Sequence, residues 1–357
     1  MNNPELNILI TDAINLLKKL IATPSLSKEE EETAEVIQIY LESKNVITHQ
    51  YLNNIWAKNK YFDETKPTIL LNSHHDTVKP NKAYTLNPFE PIEKDGKLFG
   101  LGSNDAGGCL VSLIAVFLNF YHQKNLKYNF VLAATAEEEI SGPNGVEILL
   151  PRLPKIDFGI VGEPTLMNMA LAEKGLLVLD CISHGKPGHA AREEGDNALY
   201  KAVKDIEWFM KYKFDRVSDL LGPMKMSVTI INAGSQHNVV PSECKFTVDV
   251  RVNELYSFEE VLEIIKANVV SDVIPRSCRL RSTSIAVDHP IIQSGIKLGR
   301  TYYGSPTTSD KALMSFPTLK MGPGDSARSH TADEFIYVDE IKKGIDLYIE
   351  LLNNVVK

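Results

Sequence analysis

Three short, continuously apolar segments constrain the fold of this chain more than any other feature. They span residues 68–72, 129–134 and 158–161, and residues 109–120 carry an apolar helix pattern between the first two. Strands without polar alternation are buried on both faces, which is typical of parallel sheets covered by helices. The order strand, helix, strand therefore predicts an α/β fold whose mostly parallel central sheet has helices on both faces.

The length of 357 residues is typical of two domains. After residue 173 the predicted strands alternate more between apolar and polar residues, and the first pattern returns near Val287. The predicted strands between these points lie at 176–182, 225–231 and 244–252, and the helices at 196–212 and 257–269. We therefore expect a first domain made of residues 1–173 and 285–357 and an inserted α+β domain at 174–284.

The composition excludes several classes of protein. Hydrophobic residues make up 43% and charged residues 24%, which is typical of globular domains and not of disordered or fibrous chains. The net charge of -8 leaves no broad basic surface for nucleic acid or anionic lipid. The sequence has no run of about 18 apolar residues and no basic, then apolar, leader pattern, so we expect a cytoplasmic protein with reduced cysteines.

Acidic residues and histidines follow the predicted strands, at the edge where open α/β sheets place their sites. His74 and Asp76 share one face after the first strand, because side chains alternate along an extended chain. Asp105 lies in a glycine-rich turn that fits neither phosphate-loop pattern, so we expect it to bind a cation. The acidic run 137–139 and Glu163 also begin where apolar strands end.

These residues and the later His330 offer imidazole and carboxylate ligands together. Such a mixed set suits zinc better than calcium or magnesium. Five ligands, one of them bridging, would serve two metals and leave a position for a shared water. Taken singly, each motif also has a plainer interpretation, as a solvated acidic turn or a structural histidine.

The ordered motifs resemble a family of zinc-dependent aminoacylases and deacylases that includes acetylornithine deacetylase, succinyl-diaminopimelate desuccinylase and carboxypeptidase G. The resemblance spans nearly the whole chain and is strongest to acetylornithine deacetylases of the shorter, Bacteroidetes type. The motifs that carry it are LLNSHHDTVKP, GLGSNDAGG, IVGEPT, EKGLLVLD, GHAAREEGDNA, INAGSQHNVVP and MGPG followed by RSHTADEF.

The resemblance implies a role for each candidate ligand and makes the first domain a catalytic, zinc-binding domain. His74 and Glu163 would hold one zinc, and Glu139 and His330 would hold a second. Asp105 would bridge the two ions, and cobalt would be able to replace zinc. The peptide bond after Asp105 is expected to be cis, as in other members of the family.

The resemblance also implies roles for residues that bind no metal. Asp76 would orient the neighbouring histidine, and Glu138 would act as the general base. The inserted domain resembles the family's lid and dimerisation domain, so we expect a homodimer in which His189 reaches the partner subunit's site and stabilises the oxyanion. Asn238 and Arg251 would contact substrate, the arginine through a carboxylate, although Arg251 also suits a structural ion pair.

Departures from the family's motifs narrow the expected substrate. Ser73, Glu137 and Ser329 replace residues common in the family without removing a ligand. Ala312 stands where desuccinylases of the diaminopimelate type carry an arginine in their T-S-D-x-R run. We therefore predict a dinuclear zinc hydrolase that removes the N2-acyl group from N2-acetyl-L-ornithine or N2-succinyl-L-ornithine in arginine biosynthesis.

The sequence leaves other functions open. Within the enzyme class these are a metallo-dipeptidase or carboxypeptidase and a succinyl-diaminopimelate desuccinylase, and outside it a metal-binding scaffold without catalysis. The acyl group and the partners of the substrate's charged groups are open as well. Candidates are Arg192, Lys311 and Arg328 for a succinyl carboxylate, and Glu193, Glu194, Asp196 and Asp325 for the ornithine ammonium.

Overall fold

The computed structural model describes residues 4–357, which divide into two compact units. The main unit contains the residues up to 171 together with 285–303 and 309–357, and the inserted unit contains 172–284 and 304–308. The sequence pattern predicts 304–308 as part of the first domain. This segment belongs to the inserted unit because Lys174 donates its backbone N–H to the Ser305 carbonyl (3.3 Å) and its carbonyl accepts from Thr308 Oγ1 (3.1 Å).

The helices and strands, in chain order, have the following bounds. The helices are α1 (Pro4–Ala22), α2 (Glu31–Ser43), α3 (Gly108–Tyr121), α4 (Val146–Leu149), α5 (Ala198–Lys211), α6 (Phe258–Asn268), α7 (Pro290–Lys297) and α8 (Val338–Val356). The strands are β1 (Thr48–Tyr51), β2 (Asn54–Lys58), β3 (Thr68–His74), β4 (Ile92–Lys94), β5 (Lys97–Phe99), β6 (Asn129–Thr135), β7 (Phe158–Val161), β8 (Met169–Glu173), β9 (Gly175–His184), β10 (Gly188–His189), β11 (Lys225–Ala233), β12 (Val239–Val240), β13 (Glu243–Val252), β14 (Asp272–Pro275), β15 (Thr283–Ser284), β16 (Tyr302–Ser305), β17 (Thr318–Lys320) and β18 (Phe335–Tyr337).

The main unit is built on a sheet whose strands follow the order β1-β2-β6-β3-β7-β17-β8. The central strands β6, β3, β7 and β17 pair in parallel, whereas β1, β2 and β8 add antiparallel edges. Every residue of β3 and β6 is buried, which explains why these strands show no polar alternation. The predicted mostly parallel central sheet is confirmed.

Helices cover both faces of this sheet. On one face α3 packs on β3 and β6 and contacts α1 and α8. On the other face Val146 and Leu149 of α4 form a buried cluster with Leu70 and Val131. The stretch 103–121, which includes α3, is long and apolar enough to cross a membrane, but 83% of it is buried in the fold, as in the core helix of a globular protein.

The inserted unit is an α+β layer with its own core. Its antiparallel sheet follows the order β11-β13-β9-β14. Alternate residues of β9 are buried, among them Leu177 and Leu179, and they pack with Phe246 of β13 and Phe258 of α6. Helix α6 begins with a capping box, in which the Ser257 hydroxyl accepts a backbone N–H and a glutamate side chain returns the bond.

One predicted helix start is wrong. The pattern Ser27-x-x-Glu30 predicts a capping box, but α2 begins at Glu31 and its N-cap, Glu30, makes no side-chain capping bond. The Ser27 hydroxyl instead donates to Asp76 Oδ2 at 2.7 Å. The Glu30 carboxylate accepts the backbone N–H of Lys28 at 2.6 Å. Both side chains therefore stabilise neighbouring loops and not the helix end.

Candidate metal centre

The candidate ligands meet because three adjacent parallel strands end at the same edge of the main sheet. His74 is the last residue of β3, Glu138 lies three residues after β6, and Glu163 lies two residues after β7. Since β3 pairs with β6 on one side and β7 on the other, their carboxyl ends bring these side chains together. This is the edge at which open α/β sheets place their sites.

Asp105 lies between the two histidines of the site. Its Oδ1 is 3.3 Å from His74 Nε2, and its Oδ2 is 3.8 Å from His330 Nε2. Each histidine also lies near a second carboxylate, because His74 Nε2 is 3.8 Å from Glu163 Oε1 and His330 Nε2 is 2.9 Å from Glu139 Oε2. The main unit thus brings together all five predicted ligands, with one carboxylate shared between two pairs.

The donor atoms fit divalent metal ions. His74 joins Asp105 and Glu139 in one group and Glu138 and Glu163 in another, and the ligand atoms within each group lie within 4.8 Å of one another. Two ligands of one zinc ion are at most about 4.4 Å apart, because each lies at about 2.0–2.2 Å from the metal, so small side-chain movements would bring each group to the separation that zinc needs. Imidazole and carboxylate donors at these separations suit zinc and similar metals.

The electrostatics of the site favour cations. Burial lowers the pKa of His74, but the Asp105 and Asp76 carboxylates outweigh burial and raise that pKa well above its usual range. The hydrogen bond to Glu139 raises the pKa of the half-exposed His330 to about 9. Burial, with neighbouring carboxylates adding to it, raises the pKa of Glu138 well above its usual range. Excess negative charge is therefore concentrated where the ligands meet.

Asp76 does more than the predicted orienting of His74. His74 Nδ1 lies 3.0 Å from the Asp76 carbonyl and 3.4 Å from Asp76 Oδ1. The two carboxylate oxygens of Asp76 also accept the backbone N–H groups of Glu138 (3.0 Å) and Glu139 (3.1 Å). One buried carboxylate therefore fixes a histidine and the turn that carries two further site residues.

A second buried carboxylate holds the turn that carries Asp105. Glu334 Oε1 accepts the backbone N–H groups of Asn104 (2.8 Å) and Asp105 (2.9 Å), and Oε2 accepts that of Gly102 (3.2 Å). Burial raises the pKa of Glu334 to about 8 and Asp105 adds to the shift, while the three N–H groups oppose it. The peptide bond between Asp105 and Ala106 is cis, as expected.

The other three predicted site residues lie in the inserted unit. His189 in β10 pairs with Val239, and the neighbouring Asn238 accepts the Ala190 backbone N–H at 3.0 Å, so the fold brings His189 and Asn238 to adjoining segments. Both side chains are exposed. Arg251 in β13 forms a bidentate ion pair with Asp249 (2.8 and 3.1 Å), the arrangement of the alternative structural interpretation.

Two of the cations considered for a succinyl carboxylate already have partners. Lys311 is fully buried and its Nζ donates to the Leu171 carbonyl at 2.7 Å. Arg328 Nη2 contacts both carboxylate oxygens of Glu340 at 2.8 and 2.9 Å. Lys311 is therefore not available to a substrate in this arrangement, and Arg328 is held through Nη2 alone. Arg192 is exposed in the inserted unit.

Sequence reasoning assigned no role to two buried carboxylates near the ligands. One is Glu334, which holds the turn of Asp105. The other is Asp310, which is 4% exposed and accepts a hydrogen bond from Thr135 Oγ1 at 2.8 Å. Burial raises the pKa of Asp310 to about 7. The only sequence signal for either was its position inside a motif.

Comparison with protein families decides the class. Residues 70–354 match the model of peptidase family M20/M25/M40. The chain belongs to this family. It is a metal-dependent amidohydrolase, and its candidate site provides the histidine and carboxylate ligands that such an enzyme requires.

Curated relatives of this M20 enzyme include succinyl-diaminopimelate desuccinylases. The protein of Wolbachia pipientis subsp. Culex pipiens is 26% identical over 377 residues, covering 96% of this chain and 93% of the relative. That of Buchnera aphidicola subsp. Acyrthosiphon pisum (strain Tuc7) is 28% identical over 281 residues, covering 72% and 73%. These names correspond to one of the alternatives above and not to the acetylornithine deacetylases that the motifs resemble most.

Solved structures share the fold. Aminopeptidase PepT from Bacillus cereus ATCC 10987 superposes with a TM-score of 0.78 at 21% identity, covering 97% of this chain and 98% of that one. The Bacillus subtilis YXEP protein, described as a dinuclear metal binding peptidase from the M20 family, has a TM-score of 0.72 at 17% identity, covering 97% and 98%. The predicted α/β architecture is that of M20 enzymes.

Proposed function

We propose that this enzyme removes the N2-acyl group, acetyl or succinyl, from an N2-acyl-L-ornithine and releases L-ornithine in arginine biosynthesis. The observation that carries the hydrolytic chemistry is Asp105, whose two oxygens face two different histidines close to the partly buried Glu138. The support for ornithine is the ordered set of motifs, together with Ala312 in place of the arginine of diaminopimelate-type desuccinylases.

The proposed cofactor is a pair of zinc ions per chain, with cobalt able to replace them. His74 and Glu163 would hold one ion, Glu139 and His330 would hold the other, and Asp105 would bridge them. When bound, such a pair supplies a water of lowered pKa and polarises the amide carbonyl. The remaining tasks, which are to bind and orient the substrate and to move protons, belong to the side chains of the chain.

Glu138 is the residue that moves the proton. Its carboxylate takes a proton from the attacking water as the new C–O bond forms at the acyl carbon. As the C–N bond breaks, Glu138 passes that proton to the leaving amine, so the products are the acid, ionised at neutral pH, and ornithine. Burial raises the pKa of Glu138, which suits it to hold the proton between the two steps.

We further propose that the inserted unit binds substrate within a homodimer. The support is the motif resemblance and the state of His189, whose Nδ1 accepts the Ala191 backbone N–H at 3.1 Å. Nε2 then carries the proton and is free to donate to an oxyanion in the partner subunit's site. Asn238 would contact the substrate, and Arg251 would exchange Asp249 for the substrate α-carboxylate.

A second candidate function is the removal of succinate from N-succinyl-diaminopimelate. The observation that favours it is the name of the curated relatives, at 25–28% identity over as much as 96% of this chain. A peptidase or carboxypeptidase activity is a further possible result of the test, because peptides and N-acyl amino acids are both cleaved at an amide bond. The proposed location is the cytoplasm, where the amino-acid precursors are made.

A substrate panel tests the proposal. The zinc-loaded enzyme is assayed with N2-acetyl-L-ornithine, N2-succinyl-L-ornithine, N-succinyl-diaminopimelate and a set of dipeptides, with a chelator-treated control. We expect one ornithine derivative to have the highest kcat/KM, by at least about tenfold, which is a difference of about 1.4 kcal/mol in transition-state binding. A preference for diaminopimelate or dipeptides would overturn the substrate assignment. Absence of turnover with bound metal would favour a scaffold.

A further inference from the structure

Two chain segments far apart in sequence build the part of the metal centre around Asp105. The early segment is the turn 102–105, and the late segment, 322–334, carries His330. Each segment sends one buried side chain to the backbone of the other. Glu334 accepts the three N–H groups of the early turn, and Asn104 binds the backbone of Asp325 in both directions.

The return contact from Asn104 is as specific as that from Glu334. Asn104 Nδ2 donates to the Asp325 carbonyl at 3.0 Å, and Asn104 Oδ1 accepts the Asp325 N–H at 3.0 Å. The two segments approach so closely that a Cβ on Gly324, where φ is +90°, would lie 2.6 Å from Asn104 Oδ1. Only glycine fits this position without moving the amide.

Burying the carboxyl group of Glu334 costs free energy that a purely structural contact would not require. It is 1% exposed, and within residues 4–357 no lysine, arginine or histidine lies at ion-pair distance from its carboxylate. A buried carboxyl group without a cation is unfavourable unless hydrogen bonds compensate it, and its charged form is the more unfavourable one. Here three backbone N–H groups of one turn do so, and the last belongs to Asp105 itself.

We propose that Glu334 is a positioning residue of the metal centre, which fixes the backbone of the 102–105 turn so that the two Asp105 carboxylate oxygens face His74 and His330. This deepens the proposed function and rests on it for the claim that the metal centre is catalytic. Glu334 is not one of the proposed metal ligands, because its carboxylate faces the backbone of this turn. Its effect on turnover passes through Asp105, as is usual for residues that orient metal ligands.

The Glu334→Gln variant tests this role. The carboxamide keeps the size of the side chain, but it replaces one acceptor oxygen with an NH2 group that opposes a backbone N–H. Asp205→Asn is the matched control. Asp205 is another buried carboxylate that accepts two backbone N–H groups, from Val270 and Ser271, in a loop of the inserted unit that carries no candidate ligand.

Metal binding is the decisive readout, because it needs no substrate. Zinc affinity is measured by competition with a chromophoric chelator, and the cobalt-loaded protein gives an absorption spectrum that reports ligand geometry. We expect Glu334→Gln to weaken zinc binding by about 10–100-fold and to change the cobalt spectrum, since changes in residues that orient ligands have effects of this size. Asp205→Asn should remain within about twofold of the wild-type zinc affinity, because substitutions at distant sites that share no partners act independently.

Unchanged zinc affinity and an unchanged cobalt spectrum in a folded Glu334→Gln protein would overturn the inference, whatever its activity. If that variant does not fold, Glu334→Asp takes its place, because it keeps the charge but withdraws the carboxylate by one methylene. The zinc affinity and cobalt spectrum of Glu334→Asp should then change in the same direction, and wild-type values for both would overturn the inference. Failure of the proposed function would show separately, as absent amide hydrolysis by zinc-loaded wild type.

Discussion

The two units hold their predicted functional side chains in different ways. In the main unit His74 and Glu163 are 1% and 8% exposed, and buried carboxylates bind the backbone of the turns that carry other ligands. In the inserted unit His189 and Asn238 are exposed. Hydrogen bonds from buried groups therefore fix most of the candidate metal centre, whereas burial fixes neither His189 nor Asn238 in the inserted unit.

The largest effect expected in the main unit is that of Glu138→Ala. Loss of the proton carrier should lower kcat by about 10²–10⁴-fold, the usual contribution of general acid–base catalysis, while both zinc ions stay bound. Turnover and zinc content are measured on the same preparation. Glu90→Ala, which removes an exposed carboxylate of the same unit, should behave as wild type. A Glu138→Ala enzyme that retains its turnover would show that the buried site does not perform the chemistry.

The inserted unit should contribute through His189. If its Nε2 donates to the oxyanion, His189→Ala should lower kcat by about 10²–10³-fold without changing zinc affinity. His184→Ala is the control, because His184 is exposed in the same unit and pairs with Asp272. Mixing His189→Ala with Glu138→Ala subunits should restore activity if the histidine acts across the dimer. Full activity of His189→Ala, or of a monomer at assay concentration, would contradict a role for His189 across a dimer.

Substitutions of Arg251 and Asp249 distinguish two interpretations of their ion pair, in which Arg251 either binds the substrate or has a structural role. If Arg251 binds the substrate, Arg251→Ala should raise KM by about tenfold or more, because a hydrogen bond to a charged group contributes about 1.5–3 kcal/mol. Asp249→Asn should then leave KM unchanged or lower it, since Arg251 would be released from its partner. If both variants only reduce thermal stability slightly and equally, Arg251 is part of a structural pair.

A much smaller effect is expected from the surface ion pairs of the inserted unit. The hydrogen bond from Arg281 lowers the pKa of Glu259 to about 2. A carboxylate with a lowered folded-state pKa stabilises the protein above its unfolded-state pKa, and this contribution is lost as the pH falls from about 4.5 to about 2. Glu259→Gln should therefore lower the melting temperature slightly at pH 7, and the difference should disappear near pH 2. A large decrease in melting temperature at pH 7 would contradict the expectation that exposed ion pairs contribute little to stability.

Much of the fold and of the metal centre follows from local sequence. The buried strands β3, β6 and β7 could be predicted because their sequences are mostly apolar and show no polar alternation. The candidate ligands His74 and Glu163 could be predicted because they stand where those strands end. The family resemblance added the expected roles of Glu138 as general base and Glu139 as metal ligand, which composition and spacing do not provide.

The parts that the sequence did not reveal depend on loop paths. Ser27 has the local pattern of a helix cap, yet the folded chain brings it to Asp76, 49 residues away. Glu334 reaches the backbone of Asp105 over 229 residues. Lys311, considered as a substrate ligand, is buried against a backbone carbonyl. Such pairings are set by tertiary contacts, which no local pattern encodes.

The most direct test of the shared carboxylate is a zinc titration of the metal-free enzyme, with amide hydrolysis followed at each step. Two zinc ions should bind per chain, and Asp105→Asn should weaken both, because Asp105 lies between the two histidine pairs. Binding of a single ion, or weakening of only one of two ions in Asp105→Asn, would contradict a carboxylate shared between two metals. Hydrolysis that persists after chelation would contradict the metal dependence of the reaction itself.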